Sequence, residues 1–162
     1  MNAVAGYHAA MIDVRPALPE EAPLIVEFQL HMARESEGVT LDRGTLASGV
    51  AAVLDGRAVA GYWVAEEAGQ VLGMLMVVPE WSDWRNGVVL WMHSVYVVPE
   101  ARRRGVFRAM YERLRRTVEG DESLVGLRLY VDRANERAQR AYEALGMSRE
   151  HYHLYEWLKP GS

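Results

Sequence analysis

Hydrophobic positions recur with two different periods along this 162-residue chain. Leu24, Phe28 and Met32 lie at helical spacing, whereas short apolar runs in the middle of the chain are typical of strands. The pattern predicts helices over residues 19–34, from a cap at Asp42 to a stop at Gly56, and over 105–118 and 135–145. It predicts strands over 12–16, 60–66, 71–78, 88–98, 124–132 and 152–158.

The order of these elements is β-α-α-β-β-β-α-β-α-β, which predicts an α/β (α+β) fold with a mixed sheet. The late β-α-β crossover should join two parallel strands through a right-handed connection. A chain of this length makes one domain, which we expect to span residues 12–160. We expect residues 1–11 to be a disordered leader, in which Met11 is a candidate natural start.

The amino-acid composition argues against several classes of function. The chain has 18 basic and 22 acidic residues, and its net charge of −4 argues against a general nucleic-acid binder and suits cationic substrates better. The absence of cysteine excludes disulfides, thiolate metal sites and cysteine nucleophiles, and it fits a reducing compartment. No apolar run reaches the roughly 18 residues that span a bilayer. We therefore expect a cytoplasmic protein with neither a membrane nor a nucleic-acid partner.

Four arginines are crowded where the predicted strand 88–98 leads into a helix. Arg102, Arg103, Arg104 and Arg108 must repel one another unless an anion meets them. The first backbone N–H groups of a helix form an anion site, and Gly105 permits a positive φ and close backbone approach. The segment therefore indicates a pyrophosphate site. The alternative is a solvated basic turn that starts an ordinary helix.

Two motifs in this half of the chain resemble those of the GNAT superfamily of N-acetyltransferases. In the first, a strand ending V-x-P leads into Q/R-x-x-G-x-G/A, and its last three marked positions are occupied by Arg102, Gly105 and Phe107. Phe107 departs from the small residue that is usual there. The second is N-x-x-A-x-x-x-Y-E/K-x-x-G-F/M, matched by Asn135, Ala138, Tyr142, Gly146 and Met147. The resemblance covers residues 12–158, nearly the whole chain.

The resemblance implies a mostly antiparallel sheet of six to seven strands, flanked by four helices, with a splayed parallel pair at strands four and five. It implies acetyl-CoA as cosubstrate and no metal. The pantetheine chain would pair with the backbone of the strand ending Val95, Tyr96 and Val97, and an N–H near Val97 would stabilise the oxyanion. The diphosphate would be held by the motif residue Arg102 and by Arg103, Arg104, Gly105, Val106, Phe107 and Arg108.

The second motif would add Asn135 and Tyr142. By resemblance, the Asn135 amide contacts the CoA chain and Tyr142 protonates the departing thiolate. The residues alone allow plainer roles. Asn135 is well placed as a helix N-cap, and Tyr142, two turns further along the same helix face, is an ordinary core aromatic.

The general base has three candidates. Family members often have a carboxylate on the strand before the phosphate turn, but Trp91 occupies that position here. His93 shares a strand face with Trp91 and Val97 by period-two alternation, and its ordinary pKa near 6.5 suits a base. A lone strand histidine is more often structural. Glu80 and Asp83 are the alternatives, unless they are simply solvated loop acids.

The acceptor amine has candidate contacts in two loops. Glu35 and Glu37 follow the first helix, and a second loop carries Trp81, Asp83 and Trp84. Carboxylates and indoles together hold a cation by charge and cation–π contact. The plainer interpretation is a solvated loop whose aromatics cover the core.

A metal site is not expected. The last predicted strand places His151 and His153 on one face, but the sequence offers no evident third ligand.

These features favour an N-acetyltransferase that transfers an acetyl group from acetyl-CoA to a primary amine of a small molecule or protein by direct attack. The alternative is a catalytically silent acyl-CoA-binding sensor. An arginine-mediated nucleic-acid binder is a third hypothesis, against which the net charge argues. The resemblance leaves a homodimer open, and the sequence does not identify the acceptor.

Overall fold

Five strands, neighbouring one another in the order in which they occur in the chain, form one sheet in the computed structural model, which describes residues 11–149 and 153–159. The strands are β1 (Asp13–Pro16), β2 (Gly61–Glu67), β3 (Gln70–Ser82), β4 (Gly87–Val97) and β5 (Leu124–Arg128). The first three pairings are antiparallel and β4 pairs with β5 in parallel. The mixed sheet and its parallel pair at strands four and five are therefore confirmed. Residues 1–10, most of the predicted leader, lie outside the described residues.

The expected count of six to seven strands is wrong. Residues 153–159, which include most of the predicted strand 152–158, adopt no regular secondary structure, and residue 152 lies outside the described residues. The predicted strand 124–132 ends at Arg128, where its pairing with β4 ends as well. Alternating hydrophobicity marks side chains that can share a face, but a strand also needs a neighbouring backbone to hydrogen-bond.

The described residues contain four α-helices, as expected: α1 (Ala22–Glu37), α2 (Arg43–Leu54), α3 (Val106–Glu119) and α4 (Glu136–Ala144). Helix α1 runs past its predicted end at residue 34 and stops at Gly38, whose φ of 66° gives the left-handed conformation typical of a helix end. Glu35 and Glu37 therefore lie in the last helical turn, although the sequence pattern predicts a loop there. Asp42 caps α2 through the Thr45 amide, as predicted.

The sheet is covered on both faces within residues 11–128. Met74 and Leu75 are adjacent in β3 and both are fully buried, although successive strand side chains point to opposite faces. On one face Met74 joins a cluster with residues of α1, α2, β2 and β4, namely Ile25, Val26, Phe28, Leu30, Val50, Tyr62, Val64 and Tyr96. Helix α3 buries Val106, Met110 and Leu114, and it contacts β2, β3 and β5.

A β-bulge interrupts β4 near its end. Met74 lies opposite Tyr96 and Met76 lies opposite His93, so the single residue between the two methionines faces two residues of β4. One of these, Ser94, has a φ of 52°. The bulge places His93 and Tyr96 on the same face, and this corrects the expectation that His93 shares a face with Val97.

The chain divides into two compact units between Arg128 and Leu129. The first contains the sheet and helices α1 to α3, and the second contains α4. No helix among the described residues is long and apolar enough to cross a membrane.

Candidate active site

Strand β4 continues beyond the end of its partner β5. The parallel ladder joins Val88–Trp91 to Leu124–Arg128, and β4 then runs on to Val97. The Val98 amide donates to the Leu72 carbonyl of β3 at 3.0 Å. Because successive N–H groups of a strand point to opposite edges, the Val97 N–H points away from β3, toward the edge where pairing with β5 has ended. This edge is suited to receive an extended ligand backbone.

The chain then makes a tight turn into α3, which we call the arginine turn (residues 98–108). A short 3-10 segment, Pro99–Ala101, is followed by positive φ values at Arg103 (65°) and Gly105 (84°). A Cβ added at Gly105 would meet nothing within 4 Å, so this position favours glycine because of its backbone angle. The first helical hydrogen bond runs from the Ala109 amide to the Gly105 carbonyl, so the amides of Val106, Phe107 and Arg108 have no partner within the helix.

The four arginines of this turn divide into two pairs. Arg102 forms an ion pair with Glu35 of α1, and Arg104 forms one with Glu67 of β2. The side chains of Arg103 and Arg108 are exposed and make no ion pair within the described part of the chain. The turn therefore keeps two uncompensated positive charges beside the start of α3, which is the arrangement that an anion requires.

Phe107, which departs from the family motif, lies in the first turn of α3. Its ring packs along α3 toward Tyr111, with 6.5 Å between the ring centroids. This is the neighbouring position one helical turn further on. The ring is therefore directed along the helix toward its next turn.

Arg102 is held by three groups inside the first unit. Its Nε donates to the Val97 carbonyl at 2.9 Å, and its terminal nitrogen donates to Glu35 at 2.5 Å. The guanidinium also lies 5.7 Å from the centroid of the Tyr96 ring. Glu35, expected to contact the acceptor, is thus engaged by Arg102. The two residues lie 67 positions apart in the chain, and no local sequence signal indicates the pair.

Tyr96 lies beneath this pair. Its ring is buried against Phe28, with 5.2 Å between centroids, and its hydroxyl donates to Glu35 at 3.4 Å. Burial raises the pKa of Tyr96, and the Glu35 carboxylate adds to the effect. The Tyr96 side chain therefore belongs to the core.

A second cluster lies where the β4–β5 ladder ends. Glu80 accepts hydrogen bonds from Trp91 Nε1 at 2.8 Å and from Arg128 at 2.7 Å. The Arg128 guanidinium is also 5.8 Å from the Trp91 ring centroid. Because both carboxylate oxygens of Glu80 accept from these donors, Glu80 is a poor candidate for the general base.

His93 lies beside this cluster on the same face of β4. Its ring centroid is 6.3 Å from that of Trp91. Burial lowers the pKa of His93 below its ordinary value of 6.5, so the imidazole is neutral at pH 7. A neutral imidazole can accept a proton.

The expected acceptor residues do not come together. Trp81 lies opposite Val88 near one end of the β3–β4 ladder, whereas Tyr96, whose hydroxyl contacts Glu35, lies near the other end. About eight residues of strand therefore separate Trp81 from Glu35. At about 3.4 Å per residue this is roughly 25 Å. Trp84, at the hairpin tip, is 88% exposed, so the plainer interpretation that these aromatics cover the core does not hold either. Asp83 accepts a hydrogen bond from the Trp84 amide.

The second unit contains the other motif. Asn135 caps α4, because its side chain accepts from the Ala138 amide at 3.1 Å. Tyr142 is half-buried on the same helix, and burial raises the pKa of its phenol. The described residues contain no group of three or more histidine, aspartate or glutamate side chains that could hold a metal, and His151 lies outside them.

Comparisons with known proteins find similarity to acetyltransferases. Residues 28–147 match the model of the acetyltransferase (GNAT) family. A possible acetyltransferase from Clostridium difficile 630 is 38% identical and superposes with a TM-score of 0.85, over 92% of this chain and 98% of that one. No protein with a curated function matches the chain.

Two more distant structures share the fold. A predicted acetyltransferase with acetyl-CoA from Clostridium acetobutylicum is 18% identical, with a TM-score of 0.68 over 92% of this chain and 95% of that one. A ribosomal-protein-alanine N-acetyltransferase from Brucella melitensis biovar Abortus 2308 is 15% identical, with a TM-score of 0.75 over 92% and 100%. On the match of its own sequence over residues 28–147, the chain belongs to the acetyltransferase (GNAT) family.

Proposed function

We propose that this protein is an N-acetyltransferase that transfers an acetyl group from acetyl-CoA to a primary amine of a small molecule or protein by direct attack. The observation that carries the proposal is the strand edge next to the arginine turn. There the Val97 amide points away from β3, and Arg103 and Arg108 lack carboxylate partners within the described residues. The absence of cysteine suits a cytoplasmic location for this reaction.

The donor would be held by backbone and charge. The diphosphate would lie against the first amides of α3, with Arg103 and Arg108 as its cationic partners. Arg104 is a weaker candidate because Glu67 already compensates its charge. The pantetheine chain would pair with the β4 edge around Val95–Val97, and Asn135 would contact it from the second motif.

Three groups would carry the chemistry. The Val97 N–H would stabilise the negative charge that develops on the carbonyl oxygen, a contribution of about 2.7 to 4 kcal/mol per donor in other acyl transfers. His93 would take a proton from the attacking ammonium, and Tyr142 would supply a proton to the leaving sulfur. The raised pKa of Tyr142 keeps its phenol protonated at neutral pH.

Coenzyme A binding and thiol release test this function together. Calorimetry should detect binding of coenzyme A to the folded protein, and a pool of primary amines should release free thiol from acetyl-CoA. Tyr142→Phe should bind coenzyme A normally and lose most turnover, about 100-fold, because a general acid contributes about 10²- to 10⁴-fold. Tyr155→Phe is the matched control, since this phenol is 90% exposed in the same unit.

The outcomes separate the two candidate functions. Binding with no turnover on any amine would support the silent acyl-CoA sensor. Absence of binding would overturn both functions.

The role of His93 has its own measurement. Because burial lowers the pKa of His93, the imidazole gains its proton only below pH 6.5, and the acid limb of kcat/KM should lie there. His93→Gln should lower kcat/KM and remove that limb. A limb that persists in this variant would assign the base to another group.

A further inference from the structure

Arg102 makes contacts unlike those of the other arginines in the turn. Its guanidinium is shared between the Glu35 carboxylate and the Val97 carbonyl, and it covers the ring of Tyr96. Arg103 and Arg108, by contrast, are exposed and have no ion-pair partner within residues 11–149 and 153–159. Two arginines are therefore available to an anion, and Arg102 is directed into the protein.

Arg102 and strand β3 hold one peptide group from opposite sides. The peptide between Val97 and Val98 donates its N–H to Leu72 of β3, and its carbonyl accepts from Arg102. On the other side of Val97, the buried ring of Tyr96 anchors the preceding residue. Val97 is thus held between two fixed points at the last residue of β4, where it lies opposite Gly73 of β3.

We propose that Arg102 is a positioning residue: anchored by Glu35 and stacked on Tyr96, it holds the Val97 carbonyl so that the Val97 amide faces the open edge of β4. Its part in catalysis rests on the proposed function, but its part in orienting the peptide does not. Arginine suits this role because one planar fork serves two acceptors at once, which a lysine ammonium on a flexible stem does not reproduce.

Kinetic constants distinguish positioning from anion binding. Arg102→Gln should lower kcat by about 10- to 100-fold, the size of effect expected when a reacting group is misplaced by about 1 Å, and change the Kd for coenzyme A by less than about 2-fold. Arg103→Gln should instead weaken coenzyme A binding by about 10-fold, as expected for the loss of one charge-assisted hydrogen bond, and leave kcat nearly unchanged. Arg115→Gln, which breaks an exposed pair with Glu119 on α3, is the matched control.

Arg102→Lys distinguishes a loss of positioning from a loss of protein stability. Lysine retains the charge that faces Glu35, so this variant should melt close to the wild type and still show the lowered kcat. Recovery of kcat to within about 2-fold of the wild type would mean that charge alone suffices, and it would overturn the proposal.

A measurement without ligand separates this inference from the proposed function. In the free protein, hydrogen exchange at the Val98 amide should be at least about 10-fold faster in Arg102→Gln, because the peptide loses one of its two anchors. Glu35→Gln should shift it in the same direction by less. Unchanged exchange at Val98 would overturn the proposal, as would a rise in the coenzyme A Kd equal to that of Arg103→Gln. Failure of the wild type to bind coenzyme A would instead overturn only the function.

Discussion

Arginine is used in opposite ways at two corners of the sheet. In β1, Arg15 bonds Glu21 at 2.8 Å and Glu66 at 2.5 Å, so two carboxylates surround one cation. In the arginine turn, two of the four arginines form ion pairs within the described residues, with Glu35 and with Glu67. The first corner is satisfied within the protein and joins β1 to β2. The second has an excess of positive charge, and an excess that the fold does not neutralise indicates a place for an anionic ligand.

The largest effect should come from removing the excess charge of the arginine turn. Arg103→Gln combined with Arg108→Gln should weaken coenzyme A binding by about 100-fold, because each charge-assisted hydrogen bond to phosphate contributes about 1.5 kcal/mol or more. The melting temperature should not fall, since neither side chain makes an ion pair in the described chain. Calorimetry and thermal unfolding measure the two quantities. A change in coenzyme A affinity of less than about 3-fold would show that Arg103 and Arg108 do not bind the ligand.

The Arg15 corner should show the reverse pattern. Arg15→Gln should destabilise the fold by about 2 kcal/mol, because Glu21, whose side chain is only 13% exposed, is left without its cation. Coenzyme A affinity should not change. Urea unfolding provides the measurement, with Arg57→Gln as the control. Arg57 pairs with Asp55 on the surface, where such a pair is worth at most about 1 kcal/mol. Equal stability of the two variants would contradict the prediction.

The smallest effect concerns pH. The hydrogen bond from Arg15 lowers the pKa of Glu21 below 4.5 in the folded protein. The ionised form is therefore favoured by folding, and its contribution is complete above the unfolded pKa of about 4.3 and is lost as the pH falls through the folded pKa. Between pH 5 and pH 3 the wild type should lose more stability than Arg15→Gln. Urea unfolding measures this difference. Equal losses of stability in the two proteins would show that the pKa of Glu21 does not depend on Arg15.

Local signals predicted most of the elements. The helix periodicity, the Asp42 cap and the Asn135 cap are correct, because each depends on atoms within a few residues. The start of α3 next to Gly105 is also correct, because it too depends on neighbouring residues. The errors arose where a partner decides the outcome. Residues 153–158 alternate in the sequence but form no strand, and the period-two face assignment of β4 fails at the bulge near Ser94.

The sequence by itself therefore determined the order of the elements as far as α4, the parallel pair and the position of the arginine turn. Only the tertiary structure decided which arginines of that turn are available to a ligand. Glu35 and Glu67 are separated from their partners by 67 and 37 residues, so their pairing depends on how α1 and β2 pack beside the turn. Backbone preferences act over a few neighbouring residues, whereas charge compensation depends on distances in space, which the order of residues does not reveal.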